Sequence, residues 1–244
     1  MQKIVYRKAL VKRSPESSRL AQIISFIMII IGSAAVGAVI GPIIVYFIVI
    51  SPRLNLGRNM ISPLPSSENF QVLGTKKFSP AVYQQLDYTK PENWFPEAGY
   101  PSQNISKITS YNLSIPKIGI DNAIVIIGGT DLSHSLIQYP GTANPGETGA
   151  PVIFGHSILR QFYNPKSYIS IFSTIMTLDS GDIINIRYDG VSYAYRVIDK
   201  IEVKPEDVQI LEQKYNGRYL KLVTCVPEGT YLRRGVVIAE LING

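Results

Sequence analysis

Cysteine is almost missing from this chain. Cys225 is the only one in 244 residues. No intramolecular disulfide can form, so the fold must rest on its core. A lone thiol is either a small buried hydrophobe or a reactive group, and the first is the commoner case. Histidine is nearly as scarce, with His134 and His156 alone. One Cys and two separated His are too few ligands for a zinc site, so no metal is expected. No Gly-rich phosphate loop follows a strand and opens a helix, and no cofactor is expected. No internal repeat is visible. Charge is missing altogether from Leu20 to Ile50.

That uncharged run reads LAQIISFIMIIIGSAAVGAVIGPIIVYFIVI. It exceeds the ~20 apolar residues a membrane span requires. A cleaved signal peptide is the alternative. The run is too long for that, and Tyr46 to Ile50 offers no small-residue cleavage site. The net charge is +6, which by itself would suggest nucleic acid. However, Lys3, Arg7, Lys8, Lys12, Arg13 and Arg19 crowd the N-terminal side against the single acid Glu16. The positive-inside rule then puts the N-terminus in the cytoplasm and everything after Ser51 outside the membrane. Nucleic acid is not an expected partner of such a domain.

Four regions follow: a basic cytoplasmic tail at 1–20, a transmembrane helix at 21–50, an extracytoplasmic linker at 51–106 and a folded domain at 107–244. Seven prolines, from Pro52 to Pro101, interrupt the linker, and no periodic pattern persists in it. A short helical turn is expected at Ser79 to Leu86, with Ser79 as N-cap and Pro80 at the first position. Trp94, Phe95 and Tyr100 form an aromatic cluster in an otherwise polar stretch. It is expected to pack back onto the domain or to cover a groove.

From Lys107 the pattern is that of short strands. Tyr111, Leu113 and Ile115 alternate with polar residues. Ile118 to Ile127 and Ala150 to Phe154 are apolar runs. Ile183 to Tyr188 and Val191 to Val203 flank Asp189-Gly190, a strong hairpin signal. Leu132 to Ile137 reads as a short helical segment. Ile171, Phe172, Ile175 and Leu178 are spaced like one face of a helix, and Pro205 to Leu211 reads as a brief helical turn. Seven or eight strands with few helices imply an all-β barrel or sandwich.

Leu220 to Ile238 reads LKLVTCVPEGTYLRRGVVI, a strand, a turn and a second strand. Cys225 closes the first, and Arg233 and Arg234 open the second. A cysteine nucleophile needs a base or cation beside it. His156 ends the apolar run VIFG just as Cys225 ends its own, whereas His134 lies in a polar segment and reads as a surface residue. A fixed guanidinium can stabilise the oxyanion of acyl transfer. Adjacent strand residues face opposite ways, and Arg234 shares its face with Val236 and Ile238. Arg234 is therefore the candidate, and Arg233 replaces it if the strand is shifted by one.

LVTC at 222–225, GHS at 155–157 and an arginine opening the next strand resemble the sortases, membrane-anchored bacterial cysteine transpeptidases. The resemblance spans about Ser114 to Leu241. It includes the Gly181-Asp182 turn and VKPEDVQIL at 203–211. Lys221 stands where the family pattern usually has its first Thr, and the turn between Cys225 and Arg234 is short. The resemblance implies a closed eight-stranded sortase-type β-barrel with short helices, preceded by one N-terminal transmembrane helix and an extended linker. It implies that Cys225 attacks the carbonyl of a C-terminal sorting signal similar to LPXTG. His156 then serves as acid and base, and Arg234 holds the substrate and the oxyanion. Thr224 is a weaker candidate for lining the site. The implied partners are surface proteins or pilins bearing such a signal, and an amine on the cell wall or a pilin. A cysteine endopeptidase that uses water, or a non-catalytic tethered β-domain that binds wall components, are the alternatives. No acidic cluster suggests calcium, and the Trp94–Tyr100 stretch lacks the family's lid motif.

Overall fold

The computed structural model describes residues 15–46, 48, 86–98, 100–101 and 108–243. The first fourteen residues, most of the linker and nearly all of the expected turn from Ser79 lie outside them. Two compact units divide the chain after Ile48. The first holds helix α1, Pro15–Val45. Its stretch Ala21–Val45 is 25 residues with none of it buried. At ~1.5 Å per residue it is long and apolar enough to cross a membrane.

The second unit holds a closed barrel of eight strands. They are β1 (Ser110–Ile115), β2 (Ile120–Ile127), β3 (Leu136–Gln138), β4 (Val152–Phe154), β5 (Ile183–Tyr188), β6 (Val191–Val203), β7 (Tyr219–Val226) and β8 (Arg233–Asn243). Around the barrel they run β1-β2-β3-β4-β7-β8-β6-β5. The β2–β3 and β4–β7 pairs are parallel and the others antiparallel. Closure leaves no free sheet edge.

Alternation builds the interior. Tyr111, Leu113 and Ile115 of β1, Val125 of β2, Ile184 and Ile186 of β5, and Leu220 and Leu222 of β7 all enter one core cluster. Each such side chain contributes on the order of 1.5–3 kcal/mol when fully buried. The hairpin forms where Asp189-Gly190 predicts it. Both residues take positive φ, 51° and 78°, as this tight turn requires.

Two helical expectations fail. Leu132 to Ile137 is a turn followed by strand β3. The Asp131 carboxylate accepts from the amide and hydroxyl of Ser133 and bonds His134, which closes a turn instead of a helix. Pairing between β2 and β4 then draws 136–138 into the sheet. The 161–178 crossover is a chain of turns with 3-10 pieces at Arg160–Phe162 and Ile175–Thr177. Ile171, Phe172, Ile175 and Leu178 are all buried as their spacing suggests, although the backbone between them is not α-helical.

A bulge between Val197 and Asp199 on β6 swaps the faces of that strand. Beyond it, Ile201 and Val203 point away from the interior. With Val152, Phe154, Val223, Cys225 and Val236 they form a second apolar layer on the outer face of β4, β7, β8 and β6. That layer is roofed by residues 86–98 and Tyr100 at one end and by the β6–β7 connection at the other.

Gly155 closes β4 with no room for a side chain. A Cβ there would meet the Phe172 ring at 2.5 Å and Leu136 at 2.6 Å. Gly155→Ala should lower the unfolding free energy by about 1–3 kcal/mol through overpacking. Urea unfolding of the full chain in detergent reads this directly, and an unchanged midpoint would refute the tight packing described.

Candidate active site

Cys225 and His156 end neighbouring parallel strands, and three side-by-side hydrogen bonds lace those ends together. The Gly155 amide donates to the Val223 carbonyl at 3.1 Å. The Thr224 hydroxyl donates to the Gly155 carbonyl at 3.0 Å. The Ser157 hydroxyl donates to the Cys225 carbonyl at 2.6 Å. The residues just before the thiol and just after the imidazole thus hold the partner strand. The crossover braces the same point, with the Phe172 amide donating to the His156 carbonyl at 3.0 Å.

Arg234 lies directly across the β7–β8 ladder from Cys225. Its Nη1 is 3.7 Å from the Cys225 Sγ. Residues two apart on a strand share a face, so Arg234, Val236 and Ile238 turn together as alternation implies, and the face they share is the outer layer of the barrel. Arg234 is fully buried. Arg233 takes the other face, where Nη1 stands 3.5 Å from the buried Glu202 carboxylate. It is mostly covered and ion-paired. Among the described residues, no carboxylate pairs with Arg234. Its positive charge stays unneutralised beside the thiol.

The guanidinium is held by carbonyls and rings instead. Nε and Nη2 both donate to the Trp94 carbonyl, at 3.2 and 3.1 Å. Nη1 donates to the Tyr231 and Arg233 carbonyls. The Tyr88 and Trp94 rings lie 5.2 and 5.5 Å from its central carbon, a cation–π sandwich. Trp94 stacks on Phe154 at 5.2 Å, and its indole centroid is 6.1 Å from that of His156. Tyr88 stacks on Tyr231 of the β7–β8 turn at 4.2 Å. The 86–98 arm is tied down by its own bonds. The Trp94 indole N–H donates to the Tyr88 carbonyl, and the Leu132 amide donates to the Thr89 carbonyl.

The aromatic cluster therefore packs back onto the domain and covers Cys225, which is 1% exposed. Burial pushes the thiol pKa up, against the pull of Arg234. Burial also pushes the His156 pKa down, against the raising influence of Asp131 and Asp87. At neutral pH this covered pair is a thiol and a neutral imidazole. Both groups move toward their ionised forms once water reaches them.

The structure thus brings Cys225, His156 and Arg234 into one layer. It places Thr224 on the opposite strand face from Cys225, where its hydroxyl braces the end of β4 instead of lining the pocket. His134 is exposed and paired with Asp131 at 2.8 Å. Sequence reasoning gave no role to Ser157, Tyr88 or Tyr231. Ser157 was within reach, since a hydroxyl beside the candidate histidine can bond a neighbouring strand end. Nothing local marks Tyr88.

Residues 113–242 match the family described as the Sortase domain. The chain belongs to the sortase family. This sortase also resembles solved structures. The sortase D5 transpeptidase of Clostridium perfringens is 26% identical, over 55% of this chain and 79% of that one, with a TM-score of 0.47. Sortase A from Corynebacterium diphtheriae is 26% identical, over 69% and 73%, with a TM-score of 0.48. Sortase C-1 from Actinomyces oris is 23% identical, over 71% and 86%, with a TM-score of 0.48. No curated protein matches the chain.

Trp94→Ala should speed alkylation of Cys225 by a small thiol reagent by about tenfold or more at pH 7.5. The same variant should move the alkaline rise of that rate to lower pH, because less burial opposes the thiolate. Mass spectrometry of the time course checks both shifts. Equal rates in both proteins would mean that the arm does not limit access.

Proposed function

We propose that the chain is a cysteine transpeptidase that cleaves a C-terminal sorting signal similar to LPXTG and joins the acyl fragment to an amine. The observation that carries this is the unneutralised Arg234 guanidinium, 3.7 Å from the Cys225 sulfur and already clasping a peptide carbonyl. A guanidinium that grips one backbone carbonyl beside a thiol has the chemistry to grip a scissile one.

In this reading Cys225 is the nucleophile. Once the arm opens, the thiol proton passes to His156; the thiolate sulfur then adds to the scissile carbonyl carbon, and the oxyanion that forms is stabilised by Arg234. His156 gives a proton to the leaving amine nitrogen as the C–N bond breaks, leaving a thioacyl enzyme. An incoming amine then attacks the thioester, and His156 takes its proton as the thiolate leaves. Substrate entry requires the 86–98 arm to leave the outer layer. The donor is a surface protein or pilin bearing the signal, and the acceptor is an amine on the cell wall or a pilin. The four regions divide at 20, 50 and 106. The 21–50 helix anchors the chain, with its N-terminus in the cytoplasm and the 107–244 barrel outside. The basic residues before the helix support that orientation.

Full-length chain incubated with a quenched LPXTG-like peptide and an amine should release fluorescence and yield an amide product. With no amine present, a thioacyl adduct on Cys225 should be seen by mass spectrometry. Cys225→Ala should abolish both. His156→Ala and Arg234→Ala should each lower turnover by roughly 10²–10⁴-fold, the usual range for losing a proton-transfer group or an oxyanion donor. Absence of any adduct with a panel of sorting peptides would sink the reading. Product formed only by water would favour an endopeptidase.

A further inference from the structure

The outer layer that holds Cys225 continues along β7 to Lys221. They are four positions apart, ~13 Å along the strand, on the same face. Among the described residues the Lys221 ammonium bonds no carboxylate and is held by main-chain carbonyls instead. Nζ donates to the Ile210 carbonyl at 2.7 Å and to the Glu212 carbonyl at 3.1 Å. These carbonyls lie at the end of the 3-10 turn Val208–Leu211, in the connection that runs from β6 to β7. The Ile210 side chain enters the same apolar cluster as Val203, Val223, Val236 and Cys225.

The connection does not lie flush on the sheet. A cavity of about 700 Å³ is bounded by Ile201, Val203, Ile210, Tyr219, Lys221 and Ile238, among others. Val208, Ile210 and Leu211 seat part of the segment on the apolar layer, and polar ties hold the part that borders the cavity. Side-chain ties hold it at Lys221 and at Gln213, whose Oε1 accepts from the Ala143 and Ala150 amides at 3.2 and 2.9 Å, and nearer β7 the Gly149 amide donates to the Gly217 carbonyl.

We propose that Lys221 is a positioning residue for the peptide substrate: its ammonium fixes the β6–β7 connection as the wall of the groove that leads to Cys225. The proposal rests on the transpeptidase reading. Lys221 touches no reacting atom and works through Ile210. It therefore governs how well a peptide is gripped, not how fast the thiol reacts.

The charged and titratable groups around Lys221 are few. The connection presents Glu212, Lys214 and, across the cavity, Asp207; β7 itself presents Tyr219; β8 and β4 offer Ile238 and Val152 at its register. Burial, with help from Lys214, pushes the Lys221 pKa down to about 8, against the pull of Glu212. The ammonium is complete below that value and is lost as pH rises through it. The neutral amine keeps its N–H donors and loses the charge that strengthens them.

The test compares full-length wild type, Lys221→Met and Lys221→Arg between pH 6.5 and 9.5, using the peptide and amine assay. Lys221→Met should raise KM roughly tenfold, the worth of a charge-assisted tie, and leave kcat within about twofold. Lys221→Arg should recover most of that loss. Wild type should show KM climbing above pH 8, and the arginine variant should not, because its charge persists. Hydrogen exchange at amides 208–213 should quicken in Lys221→Met and not in Lys221→Arg. An unchanged KM in Lys221→Met, or a fall in kcat alone, overturns the proposal. If wild type cleaves no peptide, the transpeptidase reading fails and exchange decides the tie by itself. Unchanged exchange at 208–213 then overturns it, and faster exchange that arginine rescues sustains it.

Discussion

The site depends on one constraint, the lacing of β4 to β7. These strands run parallel, so their C-terminal ends meet at the same rim of the barrel. Cys225 ends one strand and His156 follows the other. Neither side chain needs a long loop to bring it there. The hydroxyls of Thr224 and Ser157 each cross to the opposite strand, and the Gly155 amide adds a third bond. The geometry of the pair is thus fixed by backbone positions on a closed sheet, and rigid elements hold two side chains in register more accurately than loops do. The crowding around Gly155 belongs to the same constraint, because only a bare α-carbon lets β4 end beside Phe172 and Leu136.

Strand β7 is buried on both sides, which is why it reads as a nearly continuous apolar run. Leu220 and Leu222 serve the barrel interior, and Val223 and Cys225 serve the outer layer. A fully buried guanidinium at the edge of that layer is costly unless its donors are met. Here three carbonyls, a sulfur and two aromatic faces meet them, while the Glu202 carboxylate pairs with Arg233. The charge of Arg234 is satisfied without being cancelled. The two adjacent arginines thereby have different work, which follows from strand alternation alone.

Much of this was legible in the sequence. Alternation marked β1, and Asp189-Gly190 marked the β5–β6 turn. That Arg234, and not Arg233, shares a face with Val236 and Ile238 followed from strand alternation, although that face is the outer one. The scarcity of cysteine and histidine made the pair easy to name. The failures have physical causes. The Asp131 turn overrode a helical spacing at 132–137. The buried face of 171–178 was built from turns, which can imitate a helical period over so short a stretch. The arm was half legible, since Trp94 and Phe95 were expected to pack back, but that a main-chain carbonyl would do the gripping is invisible in any side-chain pattern. The Lys221 ties are invisible for the same reason.

The Trp94 carbonyl held by Arg234 also has a thermodynamic meaning. If the chain acts as proposed, it is a tethered occupant at high effective concentration, already where the peptide donor would bind. Any peptide therefore binds only the fraction of molecules whose arm is open, and its apparent affinity is reduced by that fraction. An arm open about one time in a hundred would weaken apparent binding about a hundredfold, with no change in the pocket itself. Selectivity can then reside in the arm: a donor that makes contacts only when Tyr88 and Trp94 are displaced recovers part of that penalty, and a generic peptide does not.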